Sequence, residues 1–179
     1  MNDVVKTFEN DRLRVEVIID IDCCYMFDNP LEHSGVEYHL DGGRYFHMRS
    51  ENFEEKNPDY WYFKVFAYIH SGYCFSLSPF SCRWDSGCCG YFAVKRPSRG
   101  GEWKTQKAFL KYAEGLIEDL NLHVSGDYYG IKASELVDGE WEEVDACWGY
   151  LGREYAEAEA KSQFDWWVAN TPKQLALLV

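Results

Sequence analysis

The stretch DYYGIKASELVDGEWEEVDACWGYLG (127–152) decides the fold that the sequence predicts. Aromatic and aliphatic residues lie on both sides of Asp138-Gly139, a dipeptide that favours the two-residue turn of a β-hairpin. Glycine adopts positive φ at little steric cost, and aspartate tolerates it better than most residues. The stretch therefore predicts two antiparallel strands that are joined directly at this turn.

Two segments around this hairpin predict helices. Segment 102–126 has apolar residues at spacings of three and four, which is typical of an amphipathic helix that ends near Ser125-Gly126. Segment 153–169, REYAEAEAKSQFDWWVA, is rich in alanine and glutamate and predicts a second helix. The predicted inward side chains are Trp103, Phe109, Leu110, Ala113, Leu116, Ile117 and Leu120 in the first helix, and Tyr155, Ala158, Phe164 and Trp167 or Val168 in the second.

Alternating apolar residues predict the remaining strands. These are DRLRVEVIID (11–20), a hairpin in YWYFKVFAYIHSGYCFSLS (60–78) that turns at Ser71-Gly72, and GYFAVK (90–95). Segment 21–50 predicts a long loop with a short strand at 44–48, followed by a short helix that begins at Ser50. The fold class is α+β, a single domain of 1–179 in which an antiparallel sheet is packed by two main helices. Residues 1–60 form its less regular part, 61–152 its motif-bearing core and 153–169 its C-terminal helix.

The composition predicts a packed globular protein with an acidic surface. Hydrophobic residues make up 46% of the 179 positions, and the net charge is −12. An acidic surface repels nucleic acid, and the most basic segment, KRPSRGGEWKTQK (95–107), is typical of a solvated loop and a helix start. We therefore expect no direct binding of nucleic acid, and we expect that partners present basic protein surfaces.

The chain shows no membrane span or signal peptide, which predicts a cytoplasmic protein without a membrane partner. Its seven cysteines are an odd number, and two pairs, Cys23-Cys24 and Cys88-Cys89, are adjacent. Neighbouring residues on a strand point to opposite faces, so these pairs are poor disulfide partners. The sequence predicts reduced thiols, as in a reducing compartment.

The segment HSGYCFSLSPFSCRWDSGCCGYFAV (70–94) is the candidate for chemistry. A zinc site of His70, Cys74, Cys82 and Cys88 or Cys89 lacks the second closely spaced pair that such sites use, so we expect no metal and no cofactor. A catalytic triad needs a histidine between acid and nucleophile, which adjacent Asp85 and Ser86 do not allow. Asp-Ser-Gly is typical of a turn with positive φ at Gly87, and recognition is favoured over catalysis.

Several ordered motifs carry a resemblance to a known family. They are HSG at 70–72, FSC-x-WDSG at 80–87, GD-x-YG at 126–130 and CWG at 147–149. In this order they resemble a widespread group of uncharacterised proteins of phages and other mobile elements, over residues 68–152. The chain departs from the group within 28–48 and at Cys88-Cys89. The resemblance implies a mobile-element origin, and small acidic proteins of such elements often block host defence machinery, some by presenting carboxylates like a phosphate backbone.

The favoured function is that of a non-enzymatic anti-defence inhibitor or adaptor. Its partner would be a host protein with a basic surface, such as a defence nuclease or a CRISPR or restriction complex. The sequence makes no prediction of the oligomeric state. The candidate contacts are Glu140, Glu142, Glu143, Asp145, Glu154, Glu157 and Glu159.

The alternative is a small enzyme or ligand-binding protein. Its pocket would lie where the turn WDSG (Trp84, Asp85, Ser86 and Gly87), Asp127 and the strand end at Cys147-Trp148 converge. Trp84 and Trp148 would form the apolar floor, and His70 with Asp85 the polar end. In an enzyme the catalytic residues would be His70, Asp85 and Asp127. A structural or assembly accessory is the third possibility.

Overall fold

A computed structural model describes residues 3–21, 30–32, 34–40, 57–70, 72–82, 84–100 and 103–170. The chain folds as two compact units, one of residues 1–27 with 126–179 and one of residues 28–125. In chain order the described strands and α-helices are β1 (Val4–Glu9), β2 (Leu13–Ile19), β3 (Glu37–Leu40), β4 (Tyr60–Ile69), β5 (Tyr73–Ser76), β6 (Ser86–Lys95), α1 (Gln106–Ser125), β7 (Tyr128–Val137), β8 (Glu140–Leu151) and α2 (Arg153–Asn170), and a short 3-10 helix (Pro97–Arg99) follows β6.

The predicted α+β class, with antiparallel strands and two main helices, is confirmed. In the described residues the strands form two four-stranded sheets, in the order β1-β2-β7-β8 and β3-β6-β4-β5, where one sheet was predicted. Each unit contains one sheet and one main helix. The predicted subdivision of the chain at residues 60 and 152 stays a prediction.

The core of the first unit lies between one side of its sheet and α2. Val15 pairs with Ala133 and Val17 with Ile131, so these four side chains lie on the same side of the sheet, where all are buried. The helix places the small residues Ala156 and Ala160 on this side, with Phe164 and Trp167 partly buried at its edge.

The helix α2 is confirmed, but part of its predicted inward face is wrong. Tyr155, Ala158 and Val168 are exposed, and Ala156 and Ala160 are buried in their place. Small side chains at 156 and 160 let the helix approach the branched residues of β2 closely.

The hairpin at Asp138-Gly139 is confirmed in detail. Asp138 has a φ of 51° and Gly139 a φ of 89°, and Val137 pairs with Glu140 on either side of the turn. Two positive φ values define the turn type that matches the twist of the strands it joins. The local sequence of the turn therefore determines the register of β7 with β8 beside the turn.

Replacing Gly139 with alanine is expected to lower the free energy of unfolding by roughly 1–2 kcal/mol, because a Cβ atom is strained at positive φ. Nothing lies within 4 Å of a Cβ built at Gly139, so backbone strain is the whole effect. The control is Gly115→Ala in the middle of α1, where a Cβ also meets nothing within 4 Å and the backbone is helical. There we expect a gain of about 0.5–1 kcal/mol. Urea denaturation followed by circular dichroism measures both, and changes of the same sign would contradict the explanation.

The second unit is built on β4, β6 and α1. Val65 and Ala67 of β4, Phe92 of β6 and Phe109 of α1 are fully or almost fully buried in one cluster. The amphipathic helix is confirmed: Phe109, Ala113, Leu116, Ile117 and Leu120 are buried, whereas Trp103 and Leu110 are only partly buried.

The predicted strands of the second unit are also found. Strands β4 and β5 form the predicted hairpin, with Ile69 opposite Tyr73; Ser71 of its turn lies outside the described residues. The strand predicted at 90–95 begins earlier, at Ser86. Strands β1 and β3 were not predicted, and the strand at 44–48 and the helix from Ser50 lie outside the described residues.

The turn predicted for WDSG needs a correction. Only Trp84 and Asp85 form the bend, while Ser86 and Gly87 belong to β6 and pair with Tyr68 and Ala67 of β4. Gly87 is not among the glycines with positive φ. Strand β4 is long enough to pair with Ser86 and Gly87 as well. Strand β6 therefore begins at Ser86, and Gly87, which was predicted to be the turn glycine, lies within the strand.

Candidate functional site

The outer strand of the first sheet carries four of the predicted contact residues. Strand β8 ends the order β1-β2-β7-β8, and its residues 142–148 are exposed on both sides of the sheet. Asp145 lies opposite Ala133, which places it on the side covered by α2, and Glu140 and Glu142 lie on that side too. Glu143, opposite Ser134, lies on the other side. The strand therefore presents carboxylates on both sides.

The basic side chains of residues 128–170 all form ion pairs within the chain. Residues 128–170 contain ten acidic and three basic side chains, a net charge of −7. The distances are 3.2 Å from Lys132 Nζ to Glu143 Oε2, 2.6 Å from Arg153 Nε to Glu157 Oε1, and 2.5 Å from Lys161 Nζ to Asp165 Oδ2. The seven remaining carboxylates form no ion pair within the described residues, and we call them the acidic surface: Glu135, Asp138, Glu140, Glu142, Asp145, Glu154 and Glu159.

Apolar side chains are exposed beside these charges on β8. Val144 and Trp148 are each 43% exposed. The indole of Trp148 lies directly over Gly130 of β7, where any side chain would overlap it. Arg14 of β2 stacks on Trp141, 4.2 Å from its ring, and is held by Glu9 at 2.5 Å. The strand thus combines unpaired acids with a partly exposed indole.

Asp127 has a structural role at the start of β7. Its side chain accepts a hydrogen bond of 2.8 Å from the hydroxyl of Tyr129, and its carbonyl accepts one of 2.8 Å from the backbone N–H of Gly152. Burial, and after it this bond to Asp127, raises the pKa of Tyr129 to about 12. Asp127 therefore fastens the ends of β7 and β8 to each other.

The raised pKa of Tyr129 predicts a loss of stability at alkaline pH. Below pH 10 the phenol is protonated in both the folded and the unfolded state, so its contribution is complete. Between about pH 10 and 12 only the unfolded state loses the proton, and the free energy of unfolding falls as the pH rises. Tyr129→Phe should reduce this slope. Urea midpoints at pH 9, 10 and 11 measure it, and equal slopes for both proteins would contradict the assignment.

The second unit brings together His70 and Asp85, two of the predicted pocket residues. His70 Nδ1 lies 3.4 Å from Asp85 Oδ2, and the carbonyl of Asp85 accepts a hydrogen bond of 2.7 Å from the N–H of Ile69. The hydroxyl of Ser86 donates to the carbonyl of Cys82. Trp84 is 95% exposed. The other predicted members, Asp127, Cys147 and Trp148, belong to the first unit, and the pocket that would join them stays a prediction.

A groove in the second unit was not predicted. It has a volume of about 530 Å³ and lies along α1, where Gly115 leaves its floor open. Trp103 and Tyr112 stack with their ring centres 4.6 Å apart, and the hydroxyl of Tyr112 donates to the carbonyl of Ser34 over 2.8 Å. The remaining lining residues are Pro30, Ala108, Lys111, Leu116 and Asp119, and burial, followed by the nearby Glu118, raises the pKa of Asp119. The signal in the sequence was a glycine in the middle of a helix.

The cysteines that the structure describes, Cys74, Cys82, Cys88, Cys89 and Cys147, are free thiols. Within the same described ranges, no three histidine, cysteine or acidic residues are placed to hold a metal ion. Cys23 and Cys24 lie outside the described residues. The expected absence of a metal and of a cofactor stays a prediction.

No protein-family model, curated protein or solved structure matches this chain. Of the helices in the described residues, none has the length and apolar character needed to cross a membrane. The resemblance to proteins of phages and mobile elements stays a prediction. What the structure defines is an α+β protein whose first sheet ends in an exposed acidic strand.

Proposed function

We propose that this chain is a non-catalytic protein-binding module, an inhibitor or adaptor, that docks its acidic surface on a basic surface of a partner protein. The observation that carries the proposal is the pairing of all three cations of residues 128–170 within the chain, which leaves seven carboxylates for a partner. Exposed charges add little to the stability of a fold. They do accelerate association with a surface of opposite charge and determine its orientation.

The partner class follows from the charge and from the resemblance to proteins of phages. A basic surface that normally holds nucleic acid, as on a host nuclease or on a CRISPR or restriction complex, is the complement of closely spaced carboxylates. Glu140, Glu142 and Asp145 supply the contacts on β8. Glu154 and Glu159 supply those on α2. Glu143 and Glu157 would exchange their cations within the chain for cations of the partner.

A small enzyme is the second candidate, and the contact of His70 with Asp85 at 3.4 Å favours it. A carboxylate at this distance orients an imidazole, which general-base catalysis requires. The two functions predict opposite outcomes for His70→Ala. Turnover that disappears in this variant, while the protein remains folded, would replace the binding proposal.

The test begins with capture of host proteins on the immobilised chain and identification of each by mass spectrometry. The affinity of a purified captured protein is then measured as salt rises from about 0.05 M to about 0.5 M, over which the screening length falls below about 8 Å. Contact through the acidic surface predicts steep weakening over this range, and His70→Ala should bind as the unchanged chain does. An affinity independent of salt would contradict the proposal.

A further inference from the structure

We propose that the outer edge of β8 binds an extended segment of the partner, rich in lysine or arginine, as a fifth strand of the first sheet. The inference rests on the proposed function and specifies how the partner is held. It adds main-chain hydrogen bonds along the strand to the attraction between opposite charges.

The hydrogen bonds of β7 identify which groups of β8 are open. The N–H of Leu136 donates to Arg12 over 2.9 Å, and the carbonyl of Tyr128 accepts from Asp20 over 2.9 Å, so the even-numbered residues of β7 bond toward β2. In an antiparallel ladder the odd-numbered ones then bond toward β8. The residues of β8 opposite even-numbered positions point their N–H and C=O groups away from β7, and they are Trp141, Glu143, Ala146, Trp148 and Leu151.

The other sheet edges are blunted in ways that β8 is not. At β5, the amide of Asn121 accepts from the N–H of Phe75 over 2.6 Å and donates to its carbonyl over 3.0 Å, in the place of a neighbouring strand. At β1, Arg153 donates to the carbonyl of Val5 over 3.3 Å. Strand β3 has only four residues.

Strand β8 has twelve residues, and no other described element bonds to its outer edge; within the strand, the thiol of Cys147 donates to the carbonyl of Trp148 over 4.0 Å. Its positions 142–148 are exposed on both sides of the sheet, so no part of the chain that the structure describes covers them. Long unpaired edges are sites at which another chain adds a strand.

The side chains along this edge select a basic occupant. Glu142 and Asp145 lie on the side of α2, where alternate lysine or arginine residues of an added strand would meet them. The other side presents Glu143, which Lys132 engages, and Trp148, 43% exposed, which suits an apolar residue beside the indole. A second copy of β8 would place its own Glu142, Glu143 and Asp145 beside the same acids, and like charges oppose that pairing.

The test uses a fluorescein-labelled peptide of alternating lysine and valine, about ten residues long, enough to span the open groups of β8. Ala146→Pro removes an outward N–H and leaves the bonds to β7 in place. We expect it to weaken binding of the peptide about tenfold or more, and we expect the matched Ala146→Ser to bind within about twofold of the unchanged chain. The same peptide with N-methyl groups on alternate amides keeps its charge and loses its backbone donors, and it should bind as weakly.

Equal binding of both peptides, together with loss of binding in the double variant Glu142→Lys/Glu143→Lys, would overturn strand addition and leave the charge-mediated function standing. Failure of the unmethylated peptide to bind the unchanged chain would also overturn strand addition, while the capture experiment still judges the proposed function. Self-association that Ala146→Pro abolishes, seen by analytical ultracentrifugation, would replace the basic segment by a second copy. If thermal unfolding shows that Ala146→Pro is not folded, the two peptides on the unchanged chain decide the question.

Discussion

Replacing Phe109 with alanine is expected to lower the free energy of unfolding by about 3–5 kcal/mol, as large-to-small changes of fully buried aromatic residues do. Phe109 is 0% exposed, and its ring centre lies 5.0 Å from that of Phe63 and 5.8 Å from that of Trp103. Removing the ring leaves a cavity between α1 and β4 that these neighbours fill only in part. Guanidinium denaturation followed by circular dichroism measures the change.

The matched control is Trp84→Ala in the same unit. It removes a larger aromatic side chain that is 95% exposed, so the expected change is within about 0.5 kcal/mol. Similar losses in the two variants would show that the indole of Trp84 is buried in solution, or that the ring of Phe109 is not.

The helix that carries Phe109 was predictable because its apolar residues are large and spaced without ambiguity. Phe109, Leu116, Ile117 and Leu120 lie on one stripe, and only one rotation of the helix buries them all. In α2, alanine and glutamate alternate from Ala156 to Ala160. Two rotations of the helix about its axis would therefore bury faces of similar hydrophobicity. The branched residues of β2 select between them, and those residues lie more than a hundred positions away in the sequence.

The division of the strands between two sheets was not predictable for the same reason. Alternation identifies a strand and its buried side, but it does not identify the neighbour with which the strand pairs. Val15 pairs with Ala133, and all residues of the second unit lie between these two in the sequence. Val137 pairs with Glu140 across a two-residue turn that the dipeptide Asp138-Gly139 encodes. The local pairing was predicted, and the distant one was not.

The candidate site, like the strand pairing, was predictable only where the signal is local in the sequence. The acids of β8 and α2 are visible as composition, but the engagement of Glu143 by Lys132 depends on the register of β7 with β8. The open edge depends on which residues of β7 bond to β2. Neither follows from local periodicity, so the sequence predicted a charged surface and not the backbone edge within it.

Reversing Glu142 and Glu143 together to lysine is expected to slow association with a basic partner by roughly 10- to 100-fold at low ionic strength, because it replaces attraction by repulsion at the encounter. Glu142 has no ion pair among the described residues, and the pair of Glu143 with Lys132 is exposed. The fold should therefore lose no more than about 1 kcal/mol. Stopped-flow or surface-plasmon measurement of the association rate, over a range of salt, tests this.

The control is Glu114→Lys/Glu118→Lys on the exposed side of α1, in the second unit. Each double reversal adds four charges, so both variants have a net charge of −8 instead of −12. If contact is made at β8, the control should keep an association rate close to that of the unchanged chain, because it makes the same change in total charge and reverses no carboxylate of the contact. Equal slowing in both variants would show that the total charge attracts the partner. Docking on β8 would then be contradicted, because the contact would not depend on where the carboxylates lie.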